Sequence, residues 1–322
     1  MSNTATKSPN INLLDNSELL VTTSPHIKSK ENTQTIMRDI LIALIPTSLF
    51  GIYFFGVRAL LVITVGIISA VLSEYLFQKV TGKKITILDF SATITGLLIA
   101  LNLPATVPLW MVAIGSIFAI VLIKQCFGGI GCNFMNPALG ARVFLMACWA
   151  SPLSTYELDG ITTATPLTVL KMGSGELATL GDVFIGKIPG SIGEVSAFAI
   201  LIGAAYLLYR KVISWHIPVT YIATVILLTT ILGRSNGLMS GNGLYEALSG
   251  GLILGAFFMA TDYATSPMTK KGQIIFGLCC GVMTTLIRIF GGYSEGVALG
   301  IILMNLFVPI IDNFTMPKKF GS

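Results

Sequence analysis

Long apolar segments with few charges dominate this sequence. Hydrophobic residues make up 53% of the 322 residues and charged residues only 11%, against about 25% charged residues in ordinary soluble domains. A helix needs about 20 mostly apolar residues to cross a bilayer. The chain offers such segments near residues 39–57, 59–80, 85–103, 109–125, 134–151, 194–210, 214–233, 243–261, 273–290 and 296–313. The sequence therefore predicts an all-α integral membrane protein with about ten transmembrane helices, and it excludes soluble enzymes, nucleic-acid-binding proteins and secreted disulfide scaffolds.

The basic residues indicate how these helices are oriented. Lys and Arg are retained preferentially on the cytoplasmic side of membrane proteins. With the N-terminus in the cytoplasm, most of the 20 basic residues, Arg142 among them, lie at or near that side. The residues left outside are Arg58, Lys171, Lys187, Arg234 and Arg288. We therefore expect both termini to be cytoplasmic.

The chain divides into five regions on this reading. Residues 1–38 form a polar cytoplasmic segment without the apolar core of a cleavable signal peptide. Residues 39–151 and 194–313 form two membrane repeats, joined by residues 152–193 as an ordered loop on the outer face. Residues 314–322 form a cytoplasmic tail.

The two membrane regions share a weak internal repeat. Ile114-Gly115, Lys124, Phe127-Gly128-Gly129 and Ala138-Leu139-Gly140 recur as Phe276-Gly277, Arg288, Phe290-Gly291-Gly292 and Ala298-Leu299-Gly300. Five helices separate the copies, so the two halves should face opposite ways across the membrane, as in transporters built from inverted repeats. The alternative is chance similarity between glycine-rich apolar segments.

Two polar elements interrupt the apolar pattern. Asp89 and Asp262 stand at the ends of predicted spans, where they either coordinate a cation or lie at the solvated membrane edge. The glycine-rich segment 128–137 carries Asn133 and Asn136, whose amides suit a neutral heterocycle. The alternative for that segment is an ordinary junction between two helices.

A short motif in the loop is the most specific local feature. Residues 159–165 read Asp-Gly-Ile-Thr-Thr-Ala-Thr, which fits the pattern Asp-x-x-Ser/Thr-x-Ala-Thr. This pattern resembles the site at which a flavin transferase, using Mg²⁺ and FAD, joins the FMN phosphate to a threonine hydroxyl. By that resemblance Thr165 is the acceptor, while Asp159, Thr162, Thr163 and Ala164 shape the attachment segment.

The motifs in combination resemble a known family. The apolar spans, the loop motif, the Gly-Gly-x-Gly-x-Asn-x-x-Asn-Pro-Ala segment and the Thr-Asp-x-x-Thr-Ser-Pro segment at residues 261–267 are similar to the D subunit of the Rnf complex. That complex is an ion-translocating ferredoxin:NAD oxidoreductase of bacterial and archaeal cell membranes. The B subunit of the sodium-translocating NADH:quinone reductase is a related protein. The resemblance covers residues 30–315.

The resemblance implies a fold, cofactors and partners. It implies a urea-transporter-like fold of two inverted five-helix repeats, FMN bound covalently to Thr165, and a non-covalent riboflavin for which Asn133 and Asn136 are candidates. Electron transfer would be coupled to movement of Na⁺ or H⁺, with Asp262, Thr261, Thr265 and Asp89 as candidate ion-pathway residues. The implied partners are the other proteins of the complex, among them a second covalent-FMN subunit and iron–sulfur subunits, together with the flavin transferase and membrane lipid.

Two other functional classes remain open on the sequence. A channel or secondary transporter can use an inverted-repeat fold without redox chemistry, because fold alone does not fix function. A structural scaffold within a complex is the second alternative. The motif at residues 159–165 favours the redox subunit, since a transporter has no use for a flavin attachment site.

Overall fold

The computed structural model describes residues 32–158, 161–173, 177–233 and 241–317. These residues are mostly helical, as predicted, and add one small antiparallel hairpin that pairs Glu157–Leu158 with Ile161–Thr162. The helices are α1 (Thr33–Val80), α2 (Ser91–Leu101), α3 (Leu109–Phe118), α4 (Pro137–Cys148), α5 (Ala150–Ser154), α6 (Pro166–Met172), α7 (Leu180–Ile185), α8 (Ala197–Tyr209), α9 (His216–Leu232), α10 (Gly243–Leu248), α11 (Leu252–Leu254), α12 (Lys270–Phe290) and α13 (Val297–Thr315).

Helix α1 contains the first two predicted spans. Its regular geometry is interrupted at Gly56, where φ is 66° and ψ is −150°. Glycine adopts this backbone conformation without the steric cost that a Cβ would bring. The kink falls between the predicted segments 39–57 and 59–80, so the sequence located it correctly although the two helices run on without a loop.

Several predicted spans are shorter as helices than as apolar segments. Helix α2 has 11 residues, α4 has 12 and α8 has 13, all below the length that crosses a bilayer. Helix α2 stops before Pro104, whose ring cannot continue a helix. Non-helical backbone at membrane depth requires burial within the protein, and the residues that follow α2 are indeed buried.

Two helices change to π-helical geometry at their C-terminal ends. Residues Ala119–Gln125 continue α3 in this form, and Gly255–Met259 continue α11. The predicted eighth span, 243–261, is thus divided among α10, α11 and this π segment, with Gly250 at a φ of 73° between the helices. Such irregular segments occur frequently at functional sites.

The outer surface of the helices is strongly apolar. Large apolar side chains such as Leu49, Ile68 and Phe314 are exposed along α1 and α13, whereas soluble monomers rarely expose extended apolar surface. Helices α1, α12 and α13 are each long and apolar enough to cross a membrane. The surface and the helices therefore match a membrane protein.

Close packing of α1 and α2 depends on two glycines. The Gly66 carbonyl oxygen lies against Gly96, and a Cβ at Gly96 would also come within 2.9 Å of the Ala70 Cβ. Neither neighbour is the end of a flexible side chain, so α2 would have to move away from α1.

We expect Gly96→Ala to lower the free energy of unfolding by about 1–3 kcal/mol, the usual cost of overpacking. The matched control is Gly292→Ala, because a Cβ there meets nothing within 4 Å. Thermal unfolding of both variants in detergent checks this, and equal midpoints for the two variants would contradict the packing argument.

Candidate functional site

Thr165 caps the first helix of the loop region. Its Oγ1 accepts a hydrogen bond from the Thr168 backbone N at 3.3 Å and lies 2.8 Å from Thr168 Oγ1. Pro166 follows as the first helical residue, a position that proline favours. Thr165 is only 7% exposed, whereas Thr163 and Ala164 are exposed. The local sequence thus fixes the hydroxyl at a defined point next to an accessible segment.

The rest of the predicted attachment motif is only partly visible. The Thr163 backbone N donates to the Tyr156 carbonyl at 3.0 Å, which keeps the chain close to the hairpin after Thr162. Thr162 is described through its backbone alone, and Asp159 lies outside the described residues.

A large cavity opens beside Thr168. It has a volume of about 510 Å³, within the range of sites for cofactors and small molecules. We name it the loop cavity, and its polar and aromatic lining includes Arg142, Tyr156, Thr168, Lys171, Tyr293 and Glu295. The Lys171 Nζ donates to the Tyr293 carbonyl at 3.1 Å, and it also contacts the Gly291 carbonyl. Lys171 therefore ties the loop region to the segment before α13.

Arg142 sits at the base of this cavity between two carboxylates. Its Nη1 donates to Glu194 Oε1 at 2.5 Å and to Asn102 Oδ1 at 2.9 Å, and its Nη2 pairs with Glu295. We call Arg142, Glu194 and Glu295 the Arg142 cluster. Burial, the largest cause, raises the pKa of the nearby Tyr156 phenol, so Tyr156 is neutral at physiological pH.

The position of Arg142 differs from the sequence-based prediction. Arg142 was expected to hold the cytoplasmic side, but its guanidinium is buried against residues that adjoin the loop region. Two carboxylates solvate it inside the bundle, as is usual for charges within membrane proteins. Arg142 therefore carries no information about the orientation of the chain.

A second pocket, of about 270 Å³, contains the two predicted asparagines. We name it the amide pocket. Asn136 Oδ1 accepts from the backbone N of Ala138 at 3.0 Å, and its Nδ2 donates to the Met259 carbonyl at 3.2 Å. Asn136 is thus the N-cap of α4, as expected for a helix junction. Asn133 differs, because its Oδ1 is buried and has no hydrogen-bond partner among the described residues.

Asp262 and Thr261 also line the amide pocket. Thr265 Oγ1 donates to Asp262 Oδ2 at 3.3 Å, so these two predicted partners do meet. Thr261 Oγ1 instead donates to the Phe257 carbonyl at 2.6 Å in its own helix. The pocket therefore combines one carboxylate with hydroxyl and amide oxygens, which are ligands that hard cations prefer.

Asp89 is connected to the amide pocket only through Ser91. Asp89 Oδ1 accepts from the Ser91 backbone N at 2.9 Å and from Ser91 Oγ at 2.7 Å, which stabilises the start of α2. The Lys124 Nζ donates to Ser91 Oγ at 2.5 Å and pairs with Glu74 Oε1 at 3.0 Å. Asp89 thus acts as a helix cap beside a buried ion pair.

One residue connects the two cavities. Met259, the last residue of the second π segment, contacts Asn102 through its Sδ at 3.6 Å and Asn136 through its carbonyl. Asn102 lines the loop cavity and Asn136 lines the amide pocket. The interrupted ends of α2 and α11 therefore separate the cavities by a single layer of side chains.

The Arg142 cluster and the Glu74–Lys124 pair were not predicted from the sequence. Each member stands within or beside an apolar segment, and charges in such places are functional by default. That signal was present, but it does not reveal which charges meet. Only the fold brings Glu194 and Glu295, which are far apart in the chain, to one guanidinium.

The apolar surface, the interrupted helices and the two polar cavities define a helical membrane protein with buried sites inside its bundle. The family follows from comparison of the sequence. A family model described as NQR2, RnfD, RnfE family matches residues 20–321, so the chain belongs to this family. The resemblance seen in the motifs is thereby confirmed.

Three relatives, each the D subunit of its complex, cover nearly the whole chain. It is 45% identical over 310 residues to that of the Na(+)-translocating ferredoxin:NAD(+) oxidoreductase complex of Acetobacterium woodii, covering 94% of this chain and 95% of the relative. It is 45% identical over 317 residues to that of the proton-translocating ferredoxin:NAD(+) oxidoreductase complex of Clostridium ljungdahlii, covering 94% and 96%. It is 32% identical over 343 residues to that of the ion-translocating oxidoreductase complex of Aliivibrio salmonicida, covering 94% and 98%.

Proposed function

We propose that this protein is the flavin-carrying membrane D subunit of an ion-translocating ferredoxin:NAD oxidoreductase complex. The observation that carries the proposal is the position of Thr165, the acceptor of a flavin attachment motif, next to a cavity of about 510 Å³. The near full-length similarity to proteins named as D subunits of such complexes supports the same conclusion.

The loop cavity fits a flavin tethered to Thr165. Thr165 bonds to Thr168, which lines the cavity, so a phosphate ester at Thr165 would place its substituent at the cavity entrance. Tyr156 and Tyr293 supply aromatic surface, and Lys171 supplies a positive charge. When bound, FMN supplies one-electron transfer, while the protein holds it in place and sets its environment. Attachment requires the Thr165 hydroxyl to leave its bond with Thr168.

A second flavin, riboflavin, is proposed for the amide pocket. The unpartnered Oδ1 of Asn133 supports this assignment, since a buried acceptor without a donor is costly. Asn136 contributes through the capped start of α4 rather than with a free amide. Electrons would pass between this protein, a second covalent-FMN subunit and iron–sulfur subunits of the complex, and a flavin transferase would mature the chain.

The proposed architecture is a urea-transporter-like pair of inverted five-helix repeats with ten membrane crossings. Two buried cations support it, because Lys124 pairs with Glu74 in the first half and Arg288 lies 4.0 Å from Glu246 in the second. Lys124 and Arg288 are the residues that the sequence repeat aligned. We further propose that both termini are cytoplasmic in a bacterial or archaeal cell membrane, with residues 152–193 outside.

Ion movement is proposed to involve Asp262 and Thr265 in the amide pocket, with Asp89 in a structural role at the edge. The relatives named for Na⁺ and for proton translocation are equally similar to this chain, at 45% identity. Either ion is therefore compatible with the overall sequence.

We expect Asp262→Asn to reduce ion movement by at least about tenfold, the factor that corresponds to about 1.4 kcal/mol of lost ion binding. Flavin content should stay unchanged, because Asp262 lies outside the loop cavity. Uptake of Na⁺ and of protons into proteoliposomes containing the whole complex measures the effect. Asp182→Asn, which removes an exposed loop carboxylate, is the control, and full ion uptake by Asp262→Asn would remove Asp262 from the pathway.

The proposed function itself is tested in the same proteoliposomes. Electron transfer from reduced ferredoxin to NAD⁺ should require this protein and drive ion uptake. Ion flux that continues without electron transfer would favour the channel or transporter alternative. Full activity of a complex that lacks flavin in this chain would favour the scaffold.

A further inference from the structure

The Arg142 cluster lacks one positive charge. The side chains of Arg142 and Glu194 are 7% and 2% exposed, and Glu295 is largely buried as well. One guanidinium and two carboxylates carry a net charge of minus one when all are ionised. A buried net charge is strongly unfavourable, and Tyr156, being neutral, does not change the sum.

A small void lies beside the two carboxylates. Its volume is about 10 Å³, roughly that of a single water-sized sphere. Its lining includes Glu194, Glu295, Thr165, Gly190 and Gly250. The void therefore has room for one small occupant between the loop region and the segment before α13.

Three buried oxygen atoms in this neighbourhood lack a hydrogen-bond partner among the described residues. They are Glu194 Oε2, Ser191 Oγ and Ser249 Oγ. Ser191 follows Gly190 and Ser249 precedes Gly250, and both of these glycines line the void. A carboxylate oxygen can only accept, so Glu194 Oε2 needs either a proton or a cation.

The charge and the ligands favour a monovalent occupant. Arg142 already offsets one of the two carboxylates, so a divalent ion would leave the site with a net positive charge. Among the described residues, no group of three or more His, Cys, Asp and Glu side chains could hold a metal ion. Hard cations take oxygen ligands, which this site supplies.

We propose that Glu194 and Glu295 hold one exchangeable monovalent cation, a proton or Na⁺, in the void next to Thr165. In the proton form the cation is bound to a carboxylate oxygen of the pair. In the sodium form the carboxylates and the adjacent hydroxyl oxygens coordinate it. Either form brings the cluster to neutrality.

The location gives this cation a role in coupling. Thr165 lines the same void, so the cation lies at the root of the proposed flavin attachment point. A charge there favours the more negative state of a nearby group, and that group in turn favours the bound cation, because linkage between two sites is reciprocal. This role rests on the proposed flavin at Thr165, whereas the cation site itself does not.

The site is tested first on the full chain produced without the flavin transferase, so that no flavin is involved. Thermal unfolding in detergent is followed in NaCl and in choline chloride at equal ionic strength and at several pH values. If the cation is Na⁺, NaCl raises the midpoint, and Glu295→Gln weakens the apparent Na⁺ affinity by about tenfold or more. If it is a proton, the midpoint falls as the pH rises, since the folded state then binds more protons than the unfolded state, and Glu194→Gln removes this dependence.

The matched control is Asp182→Asn, which should keep the wild-type response because Asp182 is exposed. Should the Glu194 variant fail to fold, infrared spectra of the wild-type chain with isotope-labelled glutamate report the proton form directly as a carboxylic-acid band. Absence of that band, together with a midpoint that does not respond to Na⁺, would overturn the proposal. Unfolding responses that are the same in wild type and in the double variant Glu194→Gln/Glu295→Gln would overturn it too.

The second stage separates this site from the proposed function. The transferase is supplied, and the flavin midpoint potential is measured against Na⁺ concentration and pH. A cation response without any bound flavin leaves the site standing and rejects the flavin assignment. Bound flavin without a cation response in either stage rejects the site alone.

Discussion

Thr165→Ala is expected to abolish covalent flavin in this protein completely. The alanine removes the only atom through which the proposed phosphate ester can form, and neighbouring hydroxyls cannot replace it. Thr168 Oγ1 lies 2.8 Å from Thr165 Oγ1 but belongs to the first turn of α6, and Thr163 stands two residues outside the helix. Flavin fluorescence of the denatured chain in a gel, after production with the transferase, measures the loss.

Two matched variants separate attachment from folding. Thr168→Val removes the hydroxyl that bonds to Thr165 and leaves the acceptor in place, so it should retain the fluorescent band. Thr165→Ala itself loses a helix cap worth about 1 kcal/mol and should still enter the membrane. An undiminished band in Thr165→Ala would show that the flavin is attached elsewhere.

Arg142→Met is expected to cause the largest loss of stability. The substitution keeps the approximate volume but leaves Glu194 and Glu295 without their shared guanidinium. Removing one partner from a buried ion pair costs about 3–5 kcal/mol. Asn102 Oδ1 would also lose its donor, which adds a smaller penalty. Unfolding of the purified chain in detergent measures the change.

Neutralising the carboxylates should rescue this variant. Arg142→Met combined with Glu194→Gln and Glu295→Gln removes the uncompensated charges, so we expect most of the stability to return. Arg142→Lys keeps the charge but cannot reach both carboxylates and Asn102 with one planar group, and it should fall between the wild type and Arg142→Met. A stable Arg142→Met variant would contradict the electrostatic account of the cluster.

Local patterns in the sequence predicted the features that depend on local chemistry. Apolar runs identified the helical membrane class, a glycine between two runs marked the kink at Gly56, and the loop motif marked Thr165. Thr165 is a helix cap followed by proline, and both residue types have strong positional preferences. The function of Thr165 as a flavin acceptor remains a prediction.

Features that depend on the fold could not be read in the same way. The apolar run 85–103 gives no sign that helix α2 ends at Leu101, because buried non-helical backbone uses the same apolar residues. Asn136 looked like a ligand, yet both ends of its amide are engaged by α4 and Met259. Arg142 followed the positive-inside pattern until the structure paired it with two distant carboxylates.

The most direct test of the flavin assignment is mass spectrometry of proteolytic fragments from the native complex. We predict that the peptide containing Thr165 carries the mass of FMN less one water and that fragmentation places the addition on Thr165. An unmodified Thr165 peptide from an active complex, or FMN found on another residue of this chain, would contradict the assignment.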